Sequence, residues 1–211
     1  MTQIPENPQR PRAKRVPRSV RRTQLLAAAH RVFVEHGYHG SSMDQIAEEA
    51  EVSKPVVYQH FPSKDELYEA LLEQHLGTLW SMMRTALDST EDNRERIRNA
   101  IRAYFTFTET ERRAYRLVFE SDVLTVPAIA QRLEDFNRRL ALAIADCIAR
   151  DADVSAPEAE LLGRAVGGSA QIAARAWAAQ PESERLGVEE AVELLANLLW
   201  RGISRFPPRA Q

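Results

Sequence analysis

The stretch Ser42–Lys64, SMDQIAEEAEVSKPVVYQHFPSK, spells two short helices joined by a tight turn, with the second aimed outward. Ser42 is placed to N-cap the first helix, with Gln45 at its third position reaching back to the serine amide. Met43, Ile46, Ala47 and Ala50 then share one buried face. The turn falls at Glu51-Val52. Ser53 caps the second helix, where Pro55 is tolerated because first-turn amides have no intrahelical partner. Val57 and Phe61, four apart, suffice to pack that helix, which leaves Lys54, Val56, Tyr58, Gln59 and His60 outward. These supply a cation, a methyl-bearing surface, a phenol, an amide and an imidazole. A helix so equipped, backed by a partner, fits a DNA major groove about 12 Å wide and offers donors and apolar contacts to base edges. A solvated helical hairpin has the same pattern, so the pair alone leaves both readings open.

The flanks weigh on that choice. Residues 1–22 carry Arg10, Arg12, Lys14, Arg15, Arg18, Arg21 and Arg22 against the single acid Glu6, with Pro5, Pro8, Pro11 and Pro17 spacing them. A proline-spaced cationic arm directly before a two-helix unit is what phosphate attraction or minor-groove insertion requires, although basic tails also serve solubility alone. Arg15, Arg18, Arg21 and Arg22 are the candidate arm contacts. Ser41 and Ser42 stand at a helix N-terminus that favours phosphate oxygens, and Lys64 begins the next helix near the expected path of the backbone. A DNA-contact set of Ser41, Ser42, Ser53, Lys54, Pro55, Val56, Tyr58, Gln59, His60 and Lys64 follows.

Gly37-Tyr38, Ser41-Ser42-Met43, Ile46-Ala47, Val52-Ser53, Tyr58, His60-Phe61 and Ser63-Lys64, in this order and spacing, resemble the DNA-binding domain of the tetracycline-repressor (TetR) family of bacterial transcription regulators. The resemblance spans roughly residues 20 to 75. It implies a homodimeric regulator that binds a pseudo-palindromic double-stranded operator and answers to a small molecule. The family places glycine between its two helices, where the chain turns left-handed, and this sequence has Glu51. A non-glycine residue in that conformation costs on the order of 1 kcal/mol.

Composition fits a folded cytoplasmic protein. The chain has 211 residues, 44% of them hydrophobic, enough for a substantial core. Residues 1–64 hold ten Lys/Arg against six acids and the remainder holds 18 against 24, so the net charge of −2 conceals a basic end and an acidic body. Cys147 is the only cysteine, on an apolar stripe that predicts inert packing. No apolar run reaches the 18 or so residues of a membrane span.

Periodicity predicts an all-α chain of about nine helices. A proline-rich arm over 1–18 should be disordered, followed by a three-helix DNA-binding domain over 19–64 and a helical effector-binding and dimerisation domain over 65–211. Leu25, Ala28, Ala29, Val32 and Phe33 mark the first helix, ended by Gly37. Ser63 and Glu66 open a long helix carrying Leu67, Leu71, Leu72, Leu76, Leu79 and Met83, the link between the halves. Further helices follow around Ile97–Thr110, around Tyr115–Phe119, and over about 128–152, 155–179 and 188–206.

Trp80, Met83, Tyr104, Phe107, Tyr115, Phe119, Phe136 and Trp177 gather soft and aromatic surface in the body, a candidate lining for a hydrophobic effector, though each taken singly also suits ordinary core. The last two helices carry Leu162, Val166, Gly167, Ser169 and Ala173, then Leu195, Leu198 and Leu199. Glycines mid-helix and more apolar surface than one neighbour covers point to a four-helix bundle between two copies. The chain has no glycine-rich phosphate loop, zinc-binding helix pattern or nucleophile-elbow serine, and His36 and His39 lack a third ligand nearby, so no enzyme, metal or cofactor is expected. A helical protein-interaction adaptor, or an enzyme with no recognisable catalytic motif, is the alternative. The basic arm together with the Lys54–His60 face favours a DNA-binding regulator, most simply a repressor released by its effector.

Overall fold

The computed structural model describes residues 16–110 and 126–203, and the described residues form eight helices and no strand. These are α1 (Arg18–His36), α2 (Met43–Glu49), α3 (Lys54–His60), α4 (Lys64–Asp88), α5 (Asn93–Thr110), α6 (Pro127–Asp151), α7 (Ala156–Ala178) and α8 (Val188–Ile203). The helix expected around Tyr115–Phe119 and most of the basic arm, including Arg15, lie outside the described residues. Arg18, Arg21 and Arg22 are not arm residues: they occupy the first two turns of α1, which starts directly after Pro17.

The N-terminal three helices close on a small core of Leu25, Val32, Phe33, Tyr38, Met43, Ile46, Val57 and Phe61. Their ends are set locally. Gly37 ends α1 with φ +70°, its amide donating to the Phe33 carbonyl. Ser42 and Gln45 form the expected reciprocal cap of α2, the Gln45 amide donating to Ser42 Oγ at 3.2 Å and the Ser42 amide to Gln45 Oε1 at 2.8 Å. Glu51 is the single non-glycine residue with positive φ (+52°) among the described residues, so the turn keeps the left-handed shape despite its side chain.

The core does not stop at α3. Leu67, Tyr68 and Leu71 of α4 are buried with it, and the Tyr68 ring meets Phe33 edge-on at 5.0 Å and Tyr38 at 5.1 Å. Further along the same helix, Leu76, Leu79 and Met83 belong to the body, against α5 and α6. Arg96 of α5 is buried and satisfies carbonyls at and just beyond the end of α4, its Nε donating to Leu87 O at 2.9 Å and its Nη2 to Thr90 O at 2.6 Å. Arg98 and Arg102 of α5 pair with Glu193 and Glu189 of α8 at 2.7 and 2.8 Å.

The helices α6 and α7 approach most closely at Gly163, where an added Cβ would lie 2.2 Å from the Ala141 carbonyl oxygen. Of the three glycines in α7, this is the one that admits a neighbouring backbone. Gly167 has ordinary room, and Gly168 faces open space. Because the obstacle at 163 is backbone and cannot swing aside, Gly163→Ala should cost roughly 1–3 kcal/mol in urea denaturation. Gly77→Ala, mid-helix in α4 with nothing within 4 Å, should instead gain up to about 1 kcal/mol.

The joint between α1 and α4 carries an imidazole pair. The His30 and His75 rings meet at a tilt of 49° with centroids 5.2 Å apart, and His75 is 7% exposed. Burial, and then the charge of His30, push the His75 pKa from 6.5 down to about 4. The folded chain thus refuses a proton that the unfolded chain accepts below pH 6.5. Stability from this group is complete above that pH and is lost as pH falls toward 4, by on the order of 3 kcal/mol. Denaturation midpoints measured between pH 7 and 4 should show this loss, and His75→Gln should flatten it.

Candidate nucleic-acid interface

Because Val57 alone turns inward on α3, with Phe61 closing its end, the outer face of the helix is left to the residues between them. Lys54, Pro55, Tyr58 and Gln59 are exposed, Tyr58 at 42%, and Val56 is half-buried. Ser53 holds the N-cap position with extended backbone, but its side chain makes no capping hydrogen bond and stands exposed. Ser42 is also exposed.

Three expected members of this face sit differently. Ser41 is buried at 5% exposure, its hydroxyl donating to the Gly37 carbonyl at 2.5 Å and to Val32 O at 3.3 Å. The α1–α2 turn consumes it, and it leaves the contact set. Lys64 donates from Nζ to Tyr38 O at 2.8 Å and Ser41 O at 2.9 Å, and its ammonium lies 4.3 Å from the centre of the Tyr38 ring. It straps the start of α4 to the α1–α2 turn, so Lys64→Ala would disturb structure as well as any phosphate contact. Tyr38 itself is buried and donates to Asp65 Oδ1. Burial, then the hydrogen bond and charge of Asp65, push its phenol above the ordinary value.

His60, the third, is half-buried, within reach of the charges of Arg18, Arg21 and Arg22. The Arg22 guanidinium lies 4.2 Å over the Phe61 ring, and its Nη1 donates to the His60 carbonyl at 3.3 Å. Partial burial, and then the charges of Arg18, Arg22 and Arg21, lower the His60 pKa below 6.5, so the imidazole is neutral at pH 7. The start of α1 and the end of α3 therefore form one cationic corner beside the exposed face. Lys54 and Arg31 are different: each is already paired with an acid of α2, Lys54 Nζ with Asp44 at 2.7 Å and Arg31 Nε with Glu49 at 2.5 Å. Neither acid figured among the sequence candidates, although Asp44 lies ten residues before Lys54 on the helix packed against it.

The body offers a second site. A cleft of about 300 Å³ opens between α4 and α6, lined by Leu76, Gly77, Trp80 and Phe136 with Glu73, Arg132, Asp135 and Arg139 at its edges. The Arg139 guanidinium stacks 3.8 Å over the Trp80 ring, and Arg132 pairs with Glu69 of α4 at 2.7 Å. Of the eight expected lining residues, Trp80 and Phe136 are here. Met83, Tyr104 and Phe107 are packed into the core, Trp177 is buried against Phe105 with ring centroids 5.3 Å apart, and Tyr115 and Phe119 lie outside the described residues.

On α7 and α8 the exposed apolar stripe is Leu161 (69%) and Ile172 (71%), then Leu194 (66%) and Leu198 (69%). Of the residues expected at a partner surface, Leu198 is on this stripe. Leu162, Val166, Gly167, Ser169, Ala173, Leu195 and Leu199 are half-buried beside it. Periodicity leaves adjacent Leu161 and Leu162 equally eligible, because alanine, glycine and serine make up much of the rest of α7.

Residues 25–71, which contain the whole exposed face and its core, match the model of the bacterial regulatory proteins of the tetR family. The HTH-type transcriptional activator FasR of Mycolicibacterium smegmatis is 41% identical over 196 residues, covering 93% of this chain and 89% of that protein. The chain belongs to the TetR family. A TetR-like transcriptional regulator from Rhodococcus sp. RHA1 superposes with a TM-score of 0.73 at 29% identity, covering 90% of this chain and all of that one. The Bacillus subtilis regulator FadR, solved in complex with stearoyl-CoA, superposes with a TM-score of 0.71 at 15% identity over 84% of this chain and 96% of its own, a likeness of fold alone. This TetR-family chain is a DNA-binding transcription regulator, not an enzyme. No helix among its described residues is long and apolar enough to cross a membrane.

Proposed function

We propose that this regulator reads a pseudo-palindromic operator as a homodimer and is switched by an amphipathic effector held between α4 and α6. The observation that carries the first part is the exposed Tyr58–Gln59 face beside the cationic corner of Arg18, Arg21 and Arg22. The phenol and amide have the chemistry to reach base edges, and the arginines and the basic arm the chemistry to neutralise phosphates. The units proposed are the arm, the three-helix reading domain, and a body of effector and dimer functions sharing α4.

The second part rests on the cleft. Its apolar floor suits a hydrocarbon or aromatic group, and Arg132 and Arg139 at its rim suit an anion. An occupant in contact with Arg132 competes with Glu69 for it and so biases the position of α4 relative to α6. Such a ligand weakens or strengthens DNA binding by no more than its preference for one of the two placements. FadR has stearoyl-CoA, a molecule of this general character, as its ligand. The sequence reading favours a repressor, whereas FasR is named an activator. The cell compartment is the cytoplasm, where a regulator meets DNA.

Selection of genomic fragments with the purified protein should retrieve a small set of promoters, and the position of each site decides the sense of regulation. With about four phosphates neutralised per subunit, affinity should fall with a log–log salt slope near −7 for a dimer. Gln59→Ala should change preference among sequences by roughly 1–3 kcal/mol while leaving random DNA unaffected. A slope near zero, or equal effects on selected and random duplexes, would overturn the reading.

Two exposed stripes support the proposed dimer. A single chain leaves Leu161, Ile172, Leu194 and Leu198 in water, with Gly168 between the first two offering a partner backbone close approach. The double variant Leu194→Glu/Leu198→Glu should sediment as a monomer at micromolar concentration, where the native chain sediments as a dimer. Its DNA affinity should fall with it.

A further inference from the structure

The three-helix unit is, apart from its leading edge, acidic. Residues 23–64 contain Arg31, Lys54 and Lys64 against Glu35, Asp44, Glu48, Glu49 and Glu51. All three cations are already engaged: Arg31 is paired with Glu49, Lys54 with Asp44, and Lys64 donates to two carbonyls. A surface meant to attract DNA by charge alone would not be built this way.

Lys54 stands at the first position of α3, where the positive end of the helix dipole disfavours a cation. Asp44 compensates it with both carboxylate oxygens, at 2.7 and 3.0 Å. The two side chains are 55% and 66% exposed, and a pair so exposed adds little to stability. Its effect is on what Lys54 is free to touch. A phosphate arriving at α3 must displace a carboxylate that the lysine already holds, and non-cognate DNA offers no base contacts to offset that exchange.

Resting on the DNA-binding role proposed above, we infer that Asp44 is a specificity determinant: it withholds Lys54 from the phosphates of random DNA and yields it only when α3 seats against its operator. The hydrogen bond and charge of Asp44 also raise the Lys54 pKa above its ordinary value, so the lysine stays a cation throughout. Non-specific binding then falls to Arg18, Arg21, Arg22 and the arm, and specific binding gains one further phosphate contact per subunit.

The test uses the full-length protein and a 30-base-pair duplex of random sequence, which requires no knowledge of the operator. Asp44→Asn should bind that duplex roughly three- to tenfold more tightly at 0.1 M salt, with a log–log salt slope steeper by about 0.9 per subunit. Asp44→Ser, compatible with the first turn of α2, should behave alike, and thermal melts establish that both are folded. In a Lys54→Gln background the gain should vanish. Unchanged affinity and slope in Asp44→Asn, or a gain that survives without Lys54, overturns the inference, because the effect would then be absent or plain removal of a repelling charge. The wild-type slope on random DNA, carried by the α1 arginines and the arm, remains steep in either case. A flat wild-type slope instead sinks the DNA-binding reading itself.

Discussion

One helix belongs to two cores. Leu67, Tyr68 and Leu71 complete the small unit that carries α3, and Leu76, Leu79 and Met83, one to four turns later, are buried in the body. A helix of 25 residues spans about 37 Å, and hydrogen bonds along its whole length make it stiff against bending. The DNA-facing end and the body therefore cannot be repositioned independently. The Lys64 strap and the Tyr38–Asp65 contact fasten the near end of α4 to the α1–α2 turn, and the His30–His75 contact ties its middle to α1. Displacement of α4 carries the outward face with it as a unit.

The electrostatics of that unit are divided by position. Its corner at the start of α1 and the end of α3 is positive and, with burial, holds the His60 pKa below its ordinary value, while α2 carries acids that hold the nearest cations of α1 and α3. Long-range attraction and local reading are thus assigned to different residues, which lets the second be selective without weakening the first.

The helices were legible because each buries one stripe. Leu25, Ala28, Ala29, Val32 and Phe33 on α1, Met43, Ile46 and Ala47 on α2, Val57 and Phe61 around α3, and the leucines of α4 are all buried as their spacing requires. The left-handed turn at Glu51 came from the family resemblance, which places glycine there, and the backbone keeps that shape with φ +52°. What escaped was decided by contacts across the chain. The inward turn of Ser41 depends on how the Gly37–Gly40 loop closes over α1, and the use of Lys64 depends on where carbonyls 23 and 26 residues earlier happen to point. Aromatic residues in the body could not be sorted into core and cleft by periodicity, since Trp80 and Met83 lie one turn apart on the same helix with opposite fates. Residues that hold others, such as Asp44 and Arg96, carry no pattern of their own.

At Gly163 two backbones meet with no layer of side chains between them. Side chains are the compressible part of a helix contact, since they change rotamer; carbonyl against Cα has nothing to give. The α6–α7 pair is in that sense a fixed wall. Any molecule wedged into the cleft on the other side of α6 pushes against something that does not recede, and the strain it introduces is delivered to the opposite wall, which is α4.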